Sequence, residues 1–321
     1  MKAVLIEEIG SFKYTEMDVP VPKSGEALIK VNVTGLCRTD LKIIKVGHRD
    51  LVLPRVPGEE VIGIVEAMGS DDPEISIGQR VYIYPGISCG ECRPCKSGAG
   101  NLCEGMKIMG FHRDGGFAEY LSAPLKSLIP VPDELPDEEA IFAEPLSCCL
   151  NAIELARISE GDKVGIWGAG PAGTLLSRAV KAFGDTALNV EKDKRRRLLI
   201  EGYETLPEKG LDAAFVAVGD KNAYTEAMES LGPRGRLVVF SGLPKDDSLF
   251  QVDFNRIHYL EQTVVGAYGC SYRHGVQALN MIAAGQVNVK DMISHKMPLS
   301  ELEEAMGLVE RREGMKILLY P

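Results

Sequence analysis

Apolar and polar residues alternate with period two near the start of the chain. Residues 26–33, Glu-Ala-Leu-Ile-Lys-Val-Asn-Val, follow that rhythm after an apolar run at 3–6. Pro20, Pro22 and Gly25 separate the two runs, so the sequence begins with β-strands. Another apolar run follows the adjacent acids Glu59 and Glu60 and predicts a further strand. Residues 110–131 read as a hairpin running into strands, and Pro130, Pro132 and Pro136 then mark a change of rhythm. The acids at 137–139 fit the first turn of a helix that continues through Glu144. From Val164 onward short apolar runs alternate with helical segments. Strands near 164–167, 187–190, 212–218, 236–240 and 263–267 predict an α/β unit with a doubly wound parallel sheet. The interval between Arg197 and Leu211 is too short for a complete strand–helix unit, which predicts a sheet pared down at that place. Helices at 273–284 and 299–310 and a strand at 316–320 close the pattern, with no internal repeat.

A length of 321 residues suits two domains, each with its own core. The formal net charge is -10, and the one short basic run spans residues 192–197. Nucleic acid and anionic membranes are therefore poor partners. The first eight residues already carry charge, and no stretch reaches about 18 consecutive apolar residues, so the expectation is a cytoplasmic protein without a membrane segment.

The turn at 168–173 is where chemistry first enters. An apolar run reaches Gly168-Ala-Gly-Pro-Ala-Gly173, and a helical segment leaves it. Gly168 permits the sharp turn, Gly170 lets a pyrophosphate approach the backbone, and Gly173 lets helix and strand pack closely. Pro171 and Ala172 complete the loop. Glu191 ends the next apolar run, where a carboxylate binds the hydroxyls of an adenosine ribose and repels a 2′-phosphate. NAD is thus expected over NADP. Lys192 opens the basic run, whose plain reading is the solvated first turn of a helix, although a cation there can also hold a 2′-phosphate.

Of eight cysteines, Cys89, Cys92, Cys95 and Cys103 lie in one fifteen-residue stretch. Their spacing suits a closed tetrahedral zinc site. The rival iron–sulfur pattern has its fourth cysteine after three residues and before a proline, whereas here seven residues intervene and Glu104 follows. Elsewhere Cys37, Thr39 and Asp40 share one tight turn, and Glu59 with Glu60 precedes an apolar strand whose burial would need a cation.

Taken together, these residues resemble the zinc-dependent medium-chain dehydrogenase/reductase family, in its polyol and threonine dehydrogenase branch. The cysteine lobe, the glycine turn and Glu144-Pro-Leu-Ser147 carry the resemblance, which runs nearly end to end. It implies a GroES-like β-rich catalytic domain (1–147 and 269–321, with the cysteine lobe at 89–103) and a Rossmann domain (148–268). It also implies a homodimer or homotetramer acting on a small alcohol or ketone. Cys37 would be a catalytic metal ligand, Glu60 a ligand or supporting acid, and Glu144 would reach the metal directly or through water. Thr39 would bond the substrate hydroxyl, with Asp40 behind it.

One departure matters. The family's Gly-His-Glu reads Gly58-Glu59-Glu60, so a carboxylate stands in the place of the histidine ligand. Cys37, Glu59, Glu60 and Glu144 would bring about four negative charges to one divalent cation. Three readings stand: Glu59 ligates zinc, the site takes manganese or iron(II), or the catalytic metal is weak or lost. The expected activity is NAD-dependent, metal-assisted hydride transfer between nicotinamide and a secondary alcohol or ketone, with a polyol, cyclitol or sugar acid as substrate. The alternatives are a threonine-like amino alcohol dehydrogenase and a metal-free or non-catalytic dinucleotide-binding relative.

Overall fold

The strand Glu26–Leu36 is the axis of the first half of the chain, pairing with Glu60–Met68, Lys316–Tyr320 and Tyr120–Pro124. The computed structural model describes residues 1–321, the side chain of Leu199 excepted. It resolves into two units. One comprises Met1–Glu144, Ser271–Gly285 and Val289–Pro321, the other Pro145–Cys270 and Gln286–Asn288.

The first unit holds a seven-stranded sheet. Its order is Ile293–Pro298, Lys316–Tyr320, Glu26–Leu36, Glu60–Met68, Arg80–Ile83 and Leu128–Pro130, with Tyr120–Pro124 as a branch on Glu26–Leu36. Antiparallel register sets Gly35 opposite both Glu60 and Leu318. Side chains of residues directly opposite share a face, and so do residues two apart on one strand. Glu60, Gly35 and Lys316 therefore lie on one face, although Lys316 and Glu60 are 256 residues apart in sequence. Phe117, Ile62 and Ile29 are among the side chains buried completely in this unit, each contributing about 1.5–3 kcal/mol relative to exposure.

Residues 110–117 are turns rather than a hairpin. A Cβ on Gly115 would lie 2.3 Å from the Gly58 carbonyl, and one on Gly116 would lie 2.2 Å from Val61. The segment is thus pressed against the chain that leads into the strand Glu60–Met68. Strand pairing resumes only at Tyr120–Pro124.

The second unit is a parallel sheet of five strands in the order Thr186–Val190, Lys163–Trp167, Leu211–Val216, Leu231–Val239 and Thr263–Gly266. The helices Pro171–Ala182, Lys194–Leu199 and Lys221–Ser230 follow the first three strands in sequence. The shortening expected after Arg197 is present. Tyr203 makes one isolated parallel bridge to Val190, its amide bonding the Asn189 carbonyl at 2.8 Å, and the chain then turns back to Leu211. The helix Lys194–Leu199 thus leads to a single bridge in place of a sixth strand. Among the described residues, no helix is long and apolar enough to cross a membrane.

Candidate active site

The glycine turn is built as its sequence predicts. Gly168 has φ +102°, and Gly170 caps the helix Pro171–Ala182 in extended conformation with Pro171 in the first turn. A Cβ on Gly173 would lie 1.9 Å from the Gly168 carbonyl, so only glycine lets the helix start this close to the strand. Glu191 reaches back to this turn. Its Oε2 accepts the Ala169 N–H at 2.7 Å and its Oε1 accepts the Asp193 N–H at 2.9 Å, fixing the carboxylate beside the place where a dinucleotide's phosphates meet the helix N-terminus.

The basic run is largely committed to the protein. Asp193 caps the helix Lys194–Leu199. Arg197 donates to the Glu191 carbonyl at 2.7 Å and pairs with Glu204 at 3.1 Å. Lys192 lies 3.8 Å from Asp220 and 3.7 Å from Glu226. Arg196 reaches nearest the turn, its Nη1 3.6 Å from where a Cβ on Gly170 would stand.

In the first unit the sulfurs of Cys89, Cys92, Cys95 and Cys103 all lie within 4.8 Å of one another. Cys92 is 3.3 Å from Cys95 and 3.8 Å from Cys103, and Cys89 is 3.9 Å from Cys95, well beyond a disulfide bond. Four thiolates bound at about 2.3 Å to one zinc would stand about 3.8 Å apart, so the donor set fits zinc. The amides of Glu91 and Cys92 both point at the Cys89 sulfur at 3.4 Å. These N–H groups hold the Cys89 thiol down at about 6, while desolvation and sharing with Cys92 push Cys95 up to about 12. Zinc here would have four protein ligands and no open position, a structural role.

The second polar cluster of this unit gathers around Cys37. Cys37 caps the helix Arg38–Lys45, its sulfur accepting the Thr39 N–H at 3.5 Å, while Asp40 accepts the Cys37 N–H at 2.8 Å. The Thr39 hydroxyl lies 3.6 Å from the Cys37 sulfur. Asp40 is fully buried and its Oδ1 has no partner; burial pushes its carboxyl up to about 7. Burial, with the Glu60 charge, pushes the Cys37 thiol up to about 12.

Sequence reasoning missed Lys316. Its Nζ donates to both oxygens of Glu60, each at 2.6 Å, and the two side chains are 3% and 1% exposed. Burial alone would lower the lysine pKa. Glu60 above all, then Cys37 and Glu144, more than offset that loss and raise it. The Phe142 ring lies 5.8 Å from the ammonium. The available signal was a lysine heading an otherwise apolar strand, where burial demands an anion. Glu59 and Glu144 are half-buried. Among the described residues, no three of Cys37, Glu59, Glu60 and Glu144 bring ligand atoms within 4.8 Å of one another. His48, eleven residues before Glu59, packs edge-on against Phe111 and accepts the Asp50 N–H at 3.2 Å.

Comparison with known proteins agrees with this architecture. Residues 23–133 match the alcohol dehydrogenase GroES-like domain, and residues 167–284 match the zinc-binding dehydrogenase domain. D-altritol 5-dehydrogenase of Agrobacterium fabrum is 31% identical over 94% of both chains. L-galactonate-5-dehydrogenase of Escherichia coli is 28% identical over 98% of both. A zinc-binding dehydrogenase of Sinorhizobium meliloti, solved with NADP bound, superposes with a TM-score of 0.92 at 28% identity, covering 100% of this chain and 99% of its own. With both domains matched in order and a relative above 30% identity along nearly the whole length, the chain belongs to the zinc-type alcohol dehydrogenases of the medium-chain dehydrogenase/reductase family and is an oxidoreductase of that type.

Proposed function

We propose that the protein is an NAD-dependent dehydrogenase of polyhydroxylated secondary alcohols, interconverting a polyol, cyclitol or sugar acid with its ketone. The choice of cofactor rests on Glu191. Its carboxylate is fixed beside the glycine turn by two backbone amides, where it can accept from both ribose hydroxyls and where it opposes a 2′-phosphate. Gly168, Gly170, Pro171, Ala172 and Gly173 would cradle the pyrophosphate. Lys192 and Arg197, both engaged with neighbouring acids, are weak candidates for binding a 2′-phosphate.

The substrate class rests on the relatives that act on D-altritol and L-galactonate, and on the polar groups around Cys37. Threonine dehydrogenases of 26% and 27% identity make an amino alcohol the second reading. In the oxidative direction, hydride leaves the carbinol carbon with its bonding pair and joins the nicotinamide ring, while the hydroxyl proton leaves the oxygen as the carbonyl forms. Thr39 would orient that hydroxyl and pass its proton outward, and Asp40 would hold the turn through the Cys37 amide. Cys89, Cys92, Cys95 and Cys103 would hold a structural zinc, and the reducing cytoplasm is the proposed compartment. A homodimer or homotetramer is the proposed assembly.

The test is reduction of NAD and NADP by the purified protein across a panel of hexitols, pentitols, cyclitols, aldonic acids and L-threonine. Turnover of one polyhydroxy class with NAD supports the reading. Turnover of threonine alone, or of none, removes it.

A further inference from the structure

The buried pair of Lys316 and Glu60 lies among the residues that the family resemblance assigns to a catalytic cation. Glu60 directs both oxygens to the ammonium, and neither partner reaches solvent. Its path is prepared by Gly35, because a Cβ there would lie 1.9 Å from Glu60 Oε2. Glu144 acts on the same ammonium electrostatically, and Phe142 places an aromatic ring over it. The Cys37 sulfur is meanwhile occupied in capping a helix and in bonding the Thr39 amide. The four cysteines of the lobe gather to metal-binding distances in this same fold, and the set Cys37, Glu59, Glu60 and Glu144 does not. A fixed ammonium repels a second cation, and in a buried place that repulsion is weakly screened.

We propose that the ammonium of Lys316 is the resident cation of this centre, and that Cys37, Glu59 and Glu60 hold no divalent metal in the working protein. Lys316 is then a positioning residue. It holds the Glu60 carboxylate in place and balances its charge beside Cys37, and the protein carries one zinc, in the cysteine lobe. This deepens the dehydrogenase reading for its catalytic role, but the metal count stands apart from it.

The test is elemental mass spectrometry of the full-length protein expressed in zinc-supplemented medium, with NAD turnover on the best polyol measured on the same samples. One zinc per chain is expected in the native protein, still one in Cys37→Ser and none in Cys92→Ser. Lys316→Met, dialysed against zinc, should rise toward two, because the ammonium that faces Glu60 and Cys37 is then gone. Two metals in the native protein, with one lost in Cys37→Ser, would overturn the proposal, as would a single metal that survives Cys92→Ser. If Lys316→Met does not fold, the Cys37→Ser and Cys92→Ser counts decide the matter alone. Absence of polyol turnover in a one-zinc protein would remove the substrate reading and leave the resident ammonium standing.

Discussion

The Glu60 carboxylate lies across Gly35, in the space that any other residue's side chain would fill. Register makes the two direct neighbours, and an added Cβ would meet Glu60 Oε2 at 1.9 Å. A methyl group at this position must push the carboxylate off its lysine or the strands apart. Gly35→Ala is therefore expected to destabilise the first unit by about 1–3 kcal/mol, the usual cost of overpacking, and to lower turnover as well. Urea unfolding followed by circular dichroism checks the first, and the polyol assay the second.

Breaking a buried ion pair from one side leaves an uncompensated charge. Lys316→Met and Glu60→Leu should each cost about 3–5 kcal/mol, whereas the double variant should recover most of that loss, since an apolar pair of similar volume tolerates burial. A double-mutant cycle in urea measures the coupling. Additive losses would mean that the pair is not a unit.

Glu191→Ala removes the groove's acceptor for ribose hydroxyls. Hydrogen bonds to a charged group contribute about 1.5–3 kcal/mol, so kcat/KM for NAD should fall by about 10-fold to 150-fold while that for NADP falls less or rises. Steady-state kinetics with both cofactors reads the ratio. An unchanged ratio would show that Glu191 only shapes its own loop.

A pH effect is expected at Glu138. The hydrogen bond from Lys296, and then that from Tyr320, holds its carboxyl below the usual value of 4.5. A lowered folded pKa contributes stability above the unfolded pKa, and that contribution disappears as pH falls through the folded value. In Lys296→Ala the Glu138 titration should move upward, toward 4.5, and the acid-side loss of stability that Glu138 contributes should shrink, the variant being less stable near neutral pH and little changed in acid. Carbon-detected NMR titration of the Glu138 carboxyl follows the shift directly.

Much of this structure could be read from pattern. The strand at 316–320, the helices at 273–284 and 299–310, the glycine turn and the shortened interval after Arg197 were all legible because their apolar spacing or turn chemistry is strong. Other elements gave little signal. The strand Ile293–Pro298 carries His295 and Lys296 between its apolar positions and ends in proline. The helix Phe254–Leu260 leaves Phe254 and Tyr259 exposed, so it shows no buried face. The first residues of Leu231–Val239 contain Gly232, Pro233 and Gly235, which read as a turn. The four-thiol set was visible because its ligands are close in sequence. The pairing of Lys316 with Glu60 was not, because only tertiary register brings residues so distant together.

That distance also orders events during synthesis. Glu60 and the strands around it leave the ribosome well before residue 316 has been translated, yet the carboxylate acquires its counter-charge only when that lysine arrives. Until then the Glu60 carboxylate of the nascent first unit lacks the ammonium that faces it in the folded chain. The second unit, whose strands are contiguous in the chain, carries no such dependence on residue 316. The nucleotide-binding sheet can therefore be complete on the ribosome while the chemistry-bearing one still waits for its final strand.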